Sequence, residues 1–213
     1  FPHPVKEAVD AAKEVGGDFY DFYFIDEKKL VFLIADVSGK GIPAALFMMK
    51  AKSIIKSYAE NKLEIERILE MANNELCDNN EAEMFVTSFV CIIDMDTGVV
   101  QYVNAGHNPA ITVKSGKKAT YMQAKANFVL AGMPNIKYKK GEFTMEKDDL
   151  IFIYTDGVTE AINCKEELYG EERLLKAVDN NCLESMENLC NNIKKDLDKF
   201  VGEADQFDDI TML

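Results

Sequence analysis

Four aspartates of the sequence stand where an apolar segment begins or ends. Asp36 and Asp156 each follow an apolar run, Asp18 comes after two glycines and before an aromatic segment, and Asp208 lies just before the apolar C-terminal residues. Burying a carboxylate without a partner costs several kcal/mol, so a ligand must compensate charges in such positions. A single aspartate of this kind is also typical of a turn or a helix cap. Four of them are harder to explain separately.

Divalent cations are the ligands that this pattern favours. Carboxylates that meet at the edge of a sheet repel one another unless cations separate them, and aspartate oxygens are hard ligands that suit Mg²⁺ or Mn²⁺. A glycine beside a ligand lets the backbone approach closely and offers a carbonyl oxygen. Two such ions, roughly 3.5–4 Å apart, hold and activate a water molecule for attack on phosphorus. The sequence therefore predicts a two-metal site that hydrolyses a phosphate bond.

Composition excludes several other classes of site. The chain has only two histidines, His3 and His107, so a histidine-rich metal site is impossible. Its five cysteines show no zinc-like spacing, which favours reduced thiols in a cytoplasmic protein. The net charge of −13 opposes binding to nucleic acid, which needs a basic surface. No apolar run has the length of a membrane span.

The elements that must position these aspartates alternate between strands and helices. Strand patterns occupy 19–26, 29–37, 85–106, 110–122, 148–157 and 208–213. Apolar residues recur at helical spacing over 44–59 and 65–76, and two further helical patterns run from 174 to 178 and from 186 to 200. One helix pair therefore falls between the early and middle strands, and a second pair falls late in the chain.

This order predicts an α+β fold rather than a doubly wound one, because antiparallel strands occur with segregated helices. Two mainly antiparallel sheets, face to face and flanked by a helix pair on each outer side, would bury every apolar stripe. That arrangement is an αββα four-layer sandwich. No low-complexity linker interrupts the 213 residues, so we expect a single domain over 1–213. Because the chain begins with Phe1, we expect this domain to be the C-terminal part of a longer regulatory protein.

The ordered motifs resemble one protein family. These motifs are "EVGGDFYD", "ADVSGKGIPAALFM", "VNAGHNPA", "YTDGVTEA" with "YGEERLL", and the terminal "DDIT". Together they resemble the metal-dependent serine/threonine protein phosphatases (PPM family), in the bacterial branch of stage II sporulation protein E and the sigma-factor-regulating phosphatases. The resemblance covers about residues 12–213. It implies an αββα sandwich, in agreement with the expectation from the elements.

The resemblance also assigns residues to the site. It implies that Asp36 bridges two Mn²⁺ or Mg²⁺ ions and that Val37 offers its backbone carbonyl. Asp156 and Asp208 would bind the second ion, and Asp18 would orient metal-bound water. A water that bridges the two ions would be the nucleophile, without a phosphoenzyme. These four aspartates are therefore the expected catalytic residues.

Three further positions each have a separate interpretation. Eukaryotic members place an arginine five positions before the first aspartate, and this offset gives Lys13 here. Lys13 is either a point charge that binds phosphate or a solvated surface lysine, since a lysine loses the bidentate grip of arginine. Asp209 is expected behind the ligands, in contact with them rather than with an ion. His107 lies at a strand–turn junction and is expected to position its loop.

The resemblance implies a protein serine/threonine phosphatase with two Mn²⁺ or Mg²⁺ ions per active site. Its substrate would be a phosphorylated regulatory protein of the anti-sigma-factor antagonist type. Sensor or receiver domains would lie in the same chain, a homodimer is an open option, and nucleic acid is not an expected partner. The domain is expected to be cytoplasmic, within a protein that membrane modules could anchor. Two alternatives remain: a degenerate phosphatase that only binds a partner, and a two-metal nuclease or phosphodiesterase.

Overall fold

The computed structural model describes residues 8–10, 16–206 and 208–213, and these ranges contain eleven strands and five helices. The strands are β1 (Ala8–Asp10), β2 (Phe19–Phe24), β3 (Lys29–Val37), β4 (Val86–Asp94), β5 (Val99–Ala105), β6 (Ile111–Val113), β7 (Thr120–Tyr121), β8 (Ala126–Asn127), β9 (Gly141–Thr144), β10 (Leu150–Phe152) and β11 (Ile210–Met212). The helices are α1 (Ile42–Glu60), α2 (Ile65–Cys77), α3 (Asp156–Thr159), α4 (Gly170–Asn181) and α5 (Met186–Val201).

The chain forms two compact units. The larger unit comprises 16–107 and 123–145, and the smaller unit comprises 8–10, 108–122, 146–206 and 208–213. Each unit therefore contains one of the two predicted helix pairs together with its own strands.

The larger unit is built on a six-stranded sheet in the order β2-β3-β4-β5-β8, with β9 also paired to β5. Strand β3 lies inside this sheet and pairs with β4 over nine positions, from Lys29 opposite Asp94 to Val37 opposite Val86. All residues of β3 from Leu30 to Ala35 are buried, and a strand that is buried on both faces has a nearly continuous apolar sequence, which explains "LVFLIA". The pairing therefore holds the Asp36 end of β3 firmly.

The first helix pair covers one face of this sheet. The buried positions of α2 recur at helical spacing, and the inward side chains of β3 alternate with period two. The core that they share includes Val31, Leu33, Ala35 and Val37 of β3, Ala44, Ala51, Ile55 and Ala59 of α1, and Ile65, Ile68, Leu69, Ala72 and Leu76 of α2. Small residues on α1 let the helix approach the sheet closely.

The smaller unit combines short strands with the second helix pair. Strands β10, β6 and β7 form a three-stranded sheet, and β11 pairs with β1. Two hydrogen bonds between Ile153 and Leu213, each 2.9 Å long, continue the pairing of the C-terminal strand beyond Met212. The core includes Ile111, Val113, Leu150 and Phe152 of the strands, Leu174, Ala177 and Val178 of α4, and Leu189, Ile193 and Leu197 of α5.

The long elements agree with the sequence prediction. The helical patterns at 44–59 and 65–76 are α1 and α2, and the two late patterns are α4 and α5. The predicted hairpins at 19–37 and 85–106 are β2–β3 and β4–β5. The sequence did not predict β8, β9 and α3, which have two to four residues each. Among the described residues, no helix has the length and apolar character needed to span a membrane.

All five cysteines are free thiols. Their different degrees of burial predict different rates of alkylation. Complete burial raises the pKa of the Cys91 thiol, so little thiolate forms near pH 8. We expect iodoacetamide to modify exposed Cys164 rapidly and Cys91 only on unfolding. Peptide mass mapping at increasing urea measures the order, with all five thiols reacting in full denaturant as the control. Modification of Cys91 in the folded protein would contradict the packing of β4.

Candidate functional site

The larger unit brings Asp18 beside Asp36. In the antiparallel pairing of β2 with β3, Phe19 lies opposite Ala35, so Asp18 comes next to Asp36 just past the end of the ladder. Gly17 is buried at this point, and a Cβ atom there would lie 2.9 Å from the Val37 carbonyl oxygen and 3.5 Å from Asp36 Oδ1. Only glycine allows this approach without displacing its neighbours. The predicted carboxylates and the predicted carbonyl ligand of this unit are thus neighbours.

The other side of Asp36 faces a strand with a polar network. Thr87 of β4 pairs directly with Asp36. The Thr87 hydroxyl contacts His107 Nδ1 at 2.8 Å. Asn104 then fixes the histidine backbone, because its side chain accepts from the His107 N–H at 2.8 Å and donates to the His107 carbonyl at 2.9 Å. His107 is buried, in keeping with the expectation that it positions its loop.

A tight turn leads from β3 into α1. The Ser38 N–H donates to the Phe85 carbonyl, and the Ser38 hydroxyl accepts from the Phe85 N–H, both at 2.9 Å. Gly39 and Gly41 have φ values of 90° and 79°, in the region that favours glycine. These two glycines turn the chain sharply, so the backbone conformation of the turn explains both glycines of "SGKG". The turn fixes the end of β3 directly after the Val37 carbonyl.

The smaller unit brings Asp156 beside the C-terminal aspartates. Thr155 pairs with Thr211 through two hydrogen bonds of 3.0 Å, one of which goes to the Thr155 hydroxyl. Directly after this pair, a Cβ atom at Gly157 would lie only 1.9 Å from the Asp209 carbonyl oxygen. No side chain fits there. The glycine of "TDG" therefore lets the two aspartate-bearing segments touch.

Asp208 and Asp209 have different surroundings. The Asp209 N–H donates to Asp208 Oδ1 at 2.9 Å, and the Asp208 carbonyl accepts from the Gln206 side chain at 2.8 Å. Both aspartates are half-buried. Because the Asp209 backbone packs on Gly157 and donates to Asp208, Asp209 contacts the neighbouring predicted ligand through its main chain.

The candidate ligands thus form two sets, each within one unit. The set of the larger unit is Asp18, Asp36 and the Val37 carbonyl, and the set of the smaller unit is Asp156 and Asp208. Within 8–10, 16–206 and 208–213, no three His, Cys, Asp or Glu side chains form a group that could hold a metal by themselves. The other predicted site residue, Lys13, lies outside the described residues.

Both sets fit hard divalent cations. Their donors are carboxylate and carbonyl oxygens, which Mg²⁺ and Mn²⁺ prefer. Zinc sites typically use imidazole or thiolate ligands instead. In each set a glycine lies where the two ligand-bearing segments meet, at a point that leaves no room for a side chain. Sequence reasoning did not assign Thr87, Thr155 and Thr211 to the surroundings of the ligands. Thr155 directly precedes Asp156 in the sequence, whereas Thr87 and Thr211 come into place only through strand pairing, with Asp36 and with Thr155.

Comparison with known proteins identifies the family of this chain. A family model described as stage II sporulation protein E (SpoIIE) matches residues 26–213. The chain belongs to the SpoIIE family. It is also similar to phosphoserine phosphatase RsbU of Bacillus subtilis (strain 168), with 32% identity over 218 residues that cover 99% of this chain. The chain spans 64% of the length of RsbU.

Solved structures show the fold of this SpoIIE-family chain. The SiaA-PP2C domain of Pseudomonas aeruginosa matches it with a TM-score of 0.85 and 18% identity, covering 97% of this chain and 82% of that domain. The catalytic domain of the serine threonine protein phosphatase PstP, solved in complex with two manganese ions, matches with a TM-score of 0.68 and 12% identity. That match covers 97% of this chain and 94% of the PstP domain. The predicted α+β fold class is confirmed: the chain has the PP2C fold.

Proposed function

We propose that this SpoIIE-family chain is a metal-dependent protein phosphatase that hydrolyses phosphoserine or phosphothreonine on a regulatory protein. The observation that carries the proposal is the pair of glycine contacts, at Gly17 and Gly157, each of which joins two aspartate-bearing segments. The PP2C fold supports it, as do the phosphoserine phosphatase activity named for RsbU and the two manganese ions in PstP.

The proposed ligands are those that the family resemblance implies. Asp36 and the Val37 carbonyl are proposed metal ligands, and Asp156 and Asp208 are the proposed ligands of the second ion. Asp18, next to Asp36 at the end of the β2–β3 ladder, would orient water. Mg²⁺ usually keeps several waters and takes one or two carboxylates from the protein, so these few oxygen donors suit the proposed two Mn²⁺ or Mg²⁺ ions per site. No serine or cysteine nucleophile is required.

The bound ions would lower the pKa of a water molecule and neutralise charge on the phosphoryl group. The protein would hold the ligands in fixed positions around the ions. The Thr87–His107 contact fixes the strand that faces Asp36, and the Thr155–Thr211 pair holds the backbone that precedes Asp156. An Asp18 carboxylate accepts hydrogen bonds from water, which would keep an attacking water oriented. Preorganised ligands of this kind avoid reorganisation during the reaction.

The proposed substrate is a phosphorylated antagonist of an anti-sigma factor or a similar regulator. The name phosphoserine phosphatase RsbU supports phosphoserine as the reacting residue. Lys13 remains a proposed contact for the phosphate, as a single positive charge. Because this chain covers only part of RsbU, we also propose that sensor or receiver domains control it within one longer protein. A homodimer is a further proposed assembly, and the proposed place of action is the cytoplasm.

Metal removal tests the proposal directly. We expect Mn²⁺-dependent release of phosphate from a phosphoserine protein and from an aryl phosphate. EDTA followed by desalting should reduce the rate to background, and added Mn²⁺ or Mg²⁺ should restore it, because the ions supply the activated water. Phosphate release measured against metal concentration checks this. Hydrolysis that persists unchanged without metal would contradict the proposed site.

Two alternatives have distinct signatures. A degenerate phosphatase that only binds a partner would show no heat of Mn²⁺ binding in calorimetry. All four proposed carboxylates are present, which favours the enzyme. A two-metal nuclease would bind DNA with strong salt dependence, and the net charge of −13 argues against this. Phosphate release from a phosphoprotein, without DNA binding, distinguishes the proposed function from both.

A further inference from the structure

The end of β4 next to the Val37 carbonyl has an unusual partner. Strand β5 pairs with β4 only from Ile93 to Phe89, and a single bridge joins Ser88 to Gly106 beyond that point. Val86 instead pairs with Leu130, through two backbone hydrogen bonds of 2.9 Å. Val86 is also the residue that pairs with Val37 on the other side. Leu130 therefore replaces β5 where the sheet reaches the predicted ligands.

Leu130 belongs to the segment 128–135, which is not stabilised by regular secondary structure of its own. Ala131 and Asn135 have φ values of 63° and 61°, in the left-handed region, which asparagine tolerates but alanine disfavours. The segment contains no helix and no strand longer than a single bridge. External contacts must therefore fix it.

Asn73 of α2 provides those contacts. Its side chain is completely buried, with 0% exposure. Asn73 Oδ1 accepts from the Ala131 N–H at 2.9 Å, and Asn73 Nδ2 donates to the Met133 carbonyl at 2.9 Å. The Tyr138 hydroxyl lies 3.3 Å from Asn73 Oδ1, and burial raises the pKa of Tyr138, so this hydroxyl stays protonated as a donor. The Asn73 side-chain amide thus holds the backbone on both sides of the turn that begins at Ala131. We call this set of contacts the clamp.

Two neighbouring asparagines add to this clamp. Asn74 Oδ1 accepts from the Asn135 N–H at 2.7 Å. Asn80 Nδ2 donates to the Met84 carbonyl at 2.7 Å and lies 3.4 Å from the Ala131 carbonyl. Asn73 differs from both because it is completely buried, and its loss leaves the N–H of Ala131, which is also buried, without a partner.

We propose that Asn73 is a positioning residue for the metal ligands of the larger unit. It fixes Ala131 and Met133, these residues hold Leu130 against Val86, and Val86 holds the Val37 end of β3. The end of a ladder frays unless it is paired on its far side, so this clamp keeps the Val37 carbonyl and the Asp36 carboxylate in place. The inference rests on the proposed function, because it assumes that these groups bind metal.

Calorimetric titration with Mn²⁺ tests the proposal on the Asn73→Ala variant. Substitutions behind metal ligands typically weaken metal affinity about 10–100-fold, and we expect a loss of at least about 10-fold here. The matched control is Asn192→Ala, which removes a side-chain amide that donates to Asn181 Oδ1 at 2.8 Å in the other helix pair. The control should keep the wild-type affinity.

A second variant separates positioning from stability. Glycine suits the φ of 63° at residue 131, so Ala131→Gly combined with Asn73→Ala should recover part of the lost thermal stability without restoring the two hydrogen bonds. Its Mn²⁺ affinity should stay as low as that of Asn73→Ala. Hydrogen exchange of the metal-free proteins should show faster exchange at 36–38 and 84–88 in both variants that lack Asn73.

Each outcome decides a different claim. If the wild-type protein binds no Mn²⁺, the proposed function fails and this inference fails with it. If the wild type binds Mn²⁺ but the Asn73 variants bind equally well, only the role of Asn73 is overturned. Recovery of affinity together with stability in the double variant, or unchanged exchange at 36–38, would also overturn it and leave a structural role only.

Discussion

Asp156→Asn is expected to lower kcat/KM for Mn²⁺-dependent hydrolysis of a phosphoserine protein by about 100-fold or more. Asparagine keeps the size of the side chain but removes the negative charge that the proposed second ion requires. A 100-fold loss corresponds to about 2.7 kcal/mol of transition-state stabilisation, which is similar to the cost of removing one preorganised electrostatic contact from an active site. Phosphate release at saturating Mn²⁺, with calorimetric Mn²⁺ binding on the same samples, measures it.

The control for this substitution is Asp198→Asn. It makes the same chemical change in the same unit, on α5, where Asp198 forms an ion pair with Lys194 one helical turn away. Such exposed pairs contribute little to stability, and Asp198 is not a proposed ligand. We expect wild-type rates from Asp198→Asn. Equal rates for Asp156→Asn and the wild type would remove Asp156 from the proposed site.

Sequence periodicity predicted the helix pairs and the long hairpins because burial alone decides them. The stripe of α2 includes Ile65, Ile68, Leu69, Ala72 and Leu76, and each of these side chains is buried. Strand β3 was equally predictable, because both of its faces are buried and its sequence is therefore continuously apolar. For such elements, local pattern and tertiary packing depend on the same side chains.

The shorter elements depend on contacts that no local pattern contains. Leu130 pairs with Val86, and the next residue, Ala131, donates its backbone N–H to Asn73, 58 residues earlier in the chain. An asparagine in a helix normally predicts a solvated position, yet Asn73 is completely buried. Strand β8, with two residues, also forms only against the end of β5. Their stability is tertiary, and so a single sequence cannot indicate them.

The candidate site was predictable in part for the same reason. Asp18 and Asp36 each carry a local signal, a charge beside glycines or at the end of an apolar run, and register brings them together. Thr87 carries no such signal, since a threonine in a strand is ordinary. Its role follows only from pairing with Asp36 and contact with His107. Sequence therefore indicates the proposed ligands, whereas the residues that hold them become visible through the fold.

Gly157→Ala is expected to abolish most hydrolysis and to destabilise the protein. The added Cβ would lie 1.9 Å from the Asp209 carbonyl oxygen and 3.5 Å from the carbonyl carbon of Asp208, so the backbone must move. Overpacking of this kind costs about 1–3 kcal/mol of unfolding free energy. The shift would separate Asp156 from Asp208, and a displacement of about 1 Å at a reacting centre typically costs about 100-fold in rate. Urea unfolding and phosphate release on the same samples measure both effects.

Gly116→Ala is the matched control, because it separates the contact from the loss of stability. Gly116 is in the smaller unit, has a φ of 71° and has nothing within 4 Å of an added Cβ atom. Alanine there costs about 1 kcal/mol through the left-handed backbone, without displacing any candidate ligand. Below both unfolding midpoints, Gly116→Ala should therefore retain the wild-type rate while Gly157→Ala does not. Similar rates in the two variants would mean that the close approach of Gly157 to Asp209 serves folding alone.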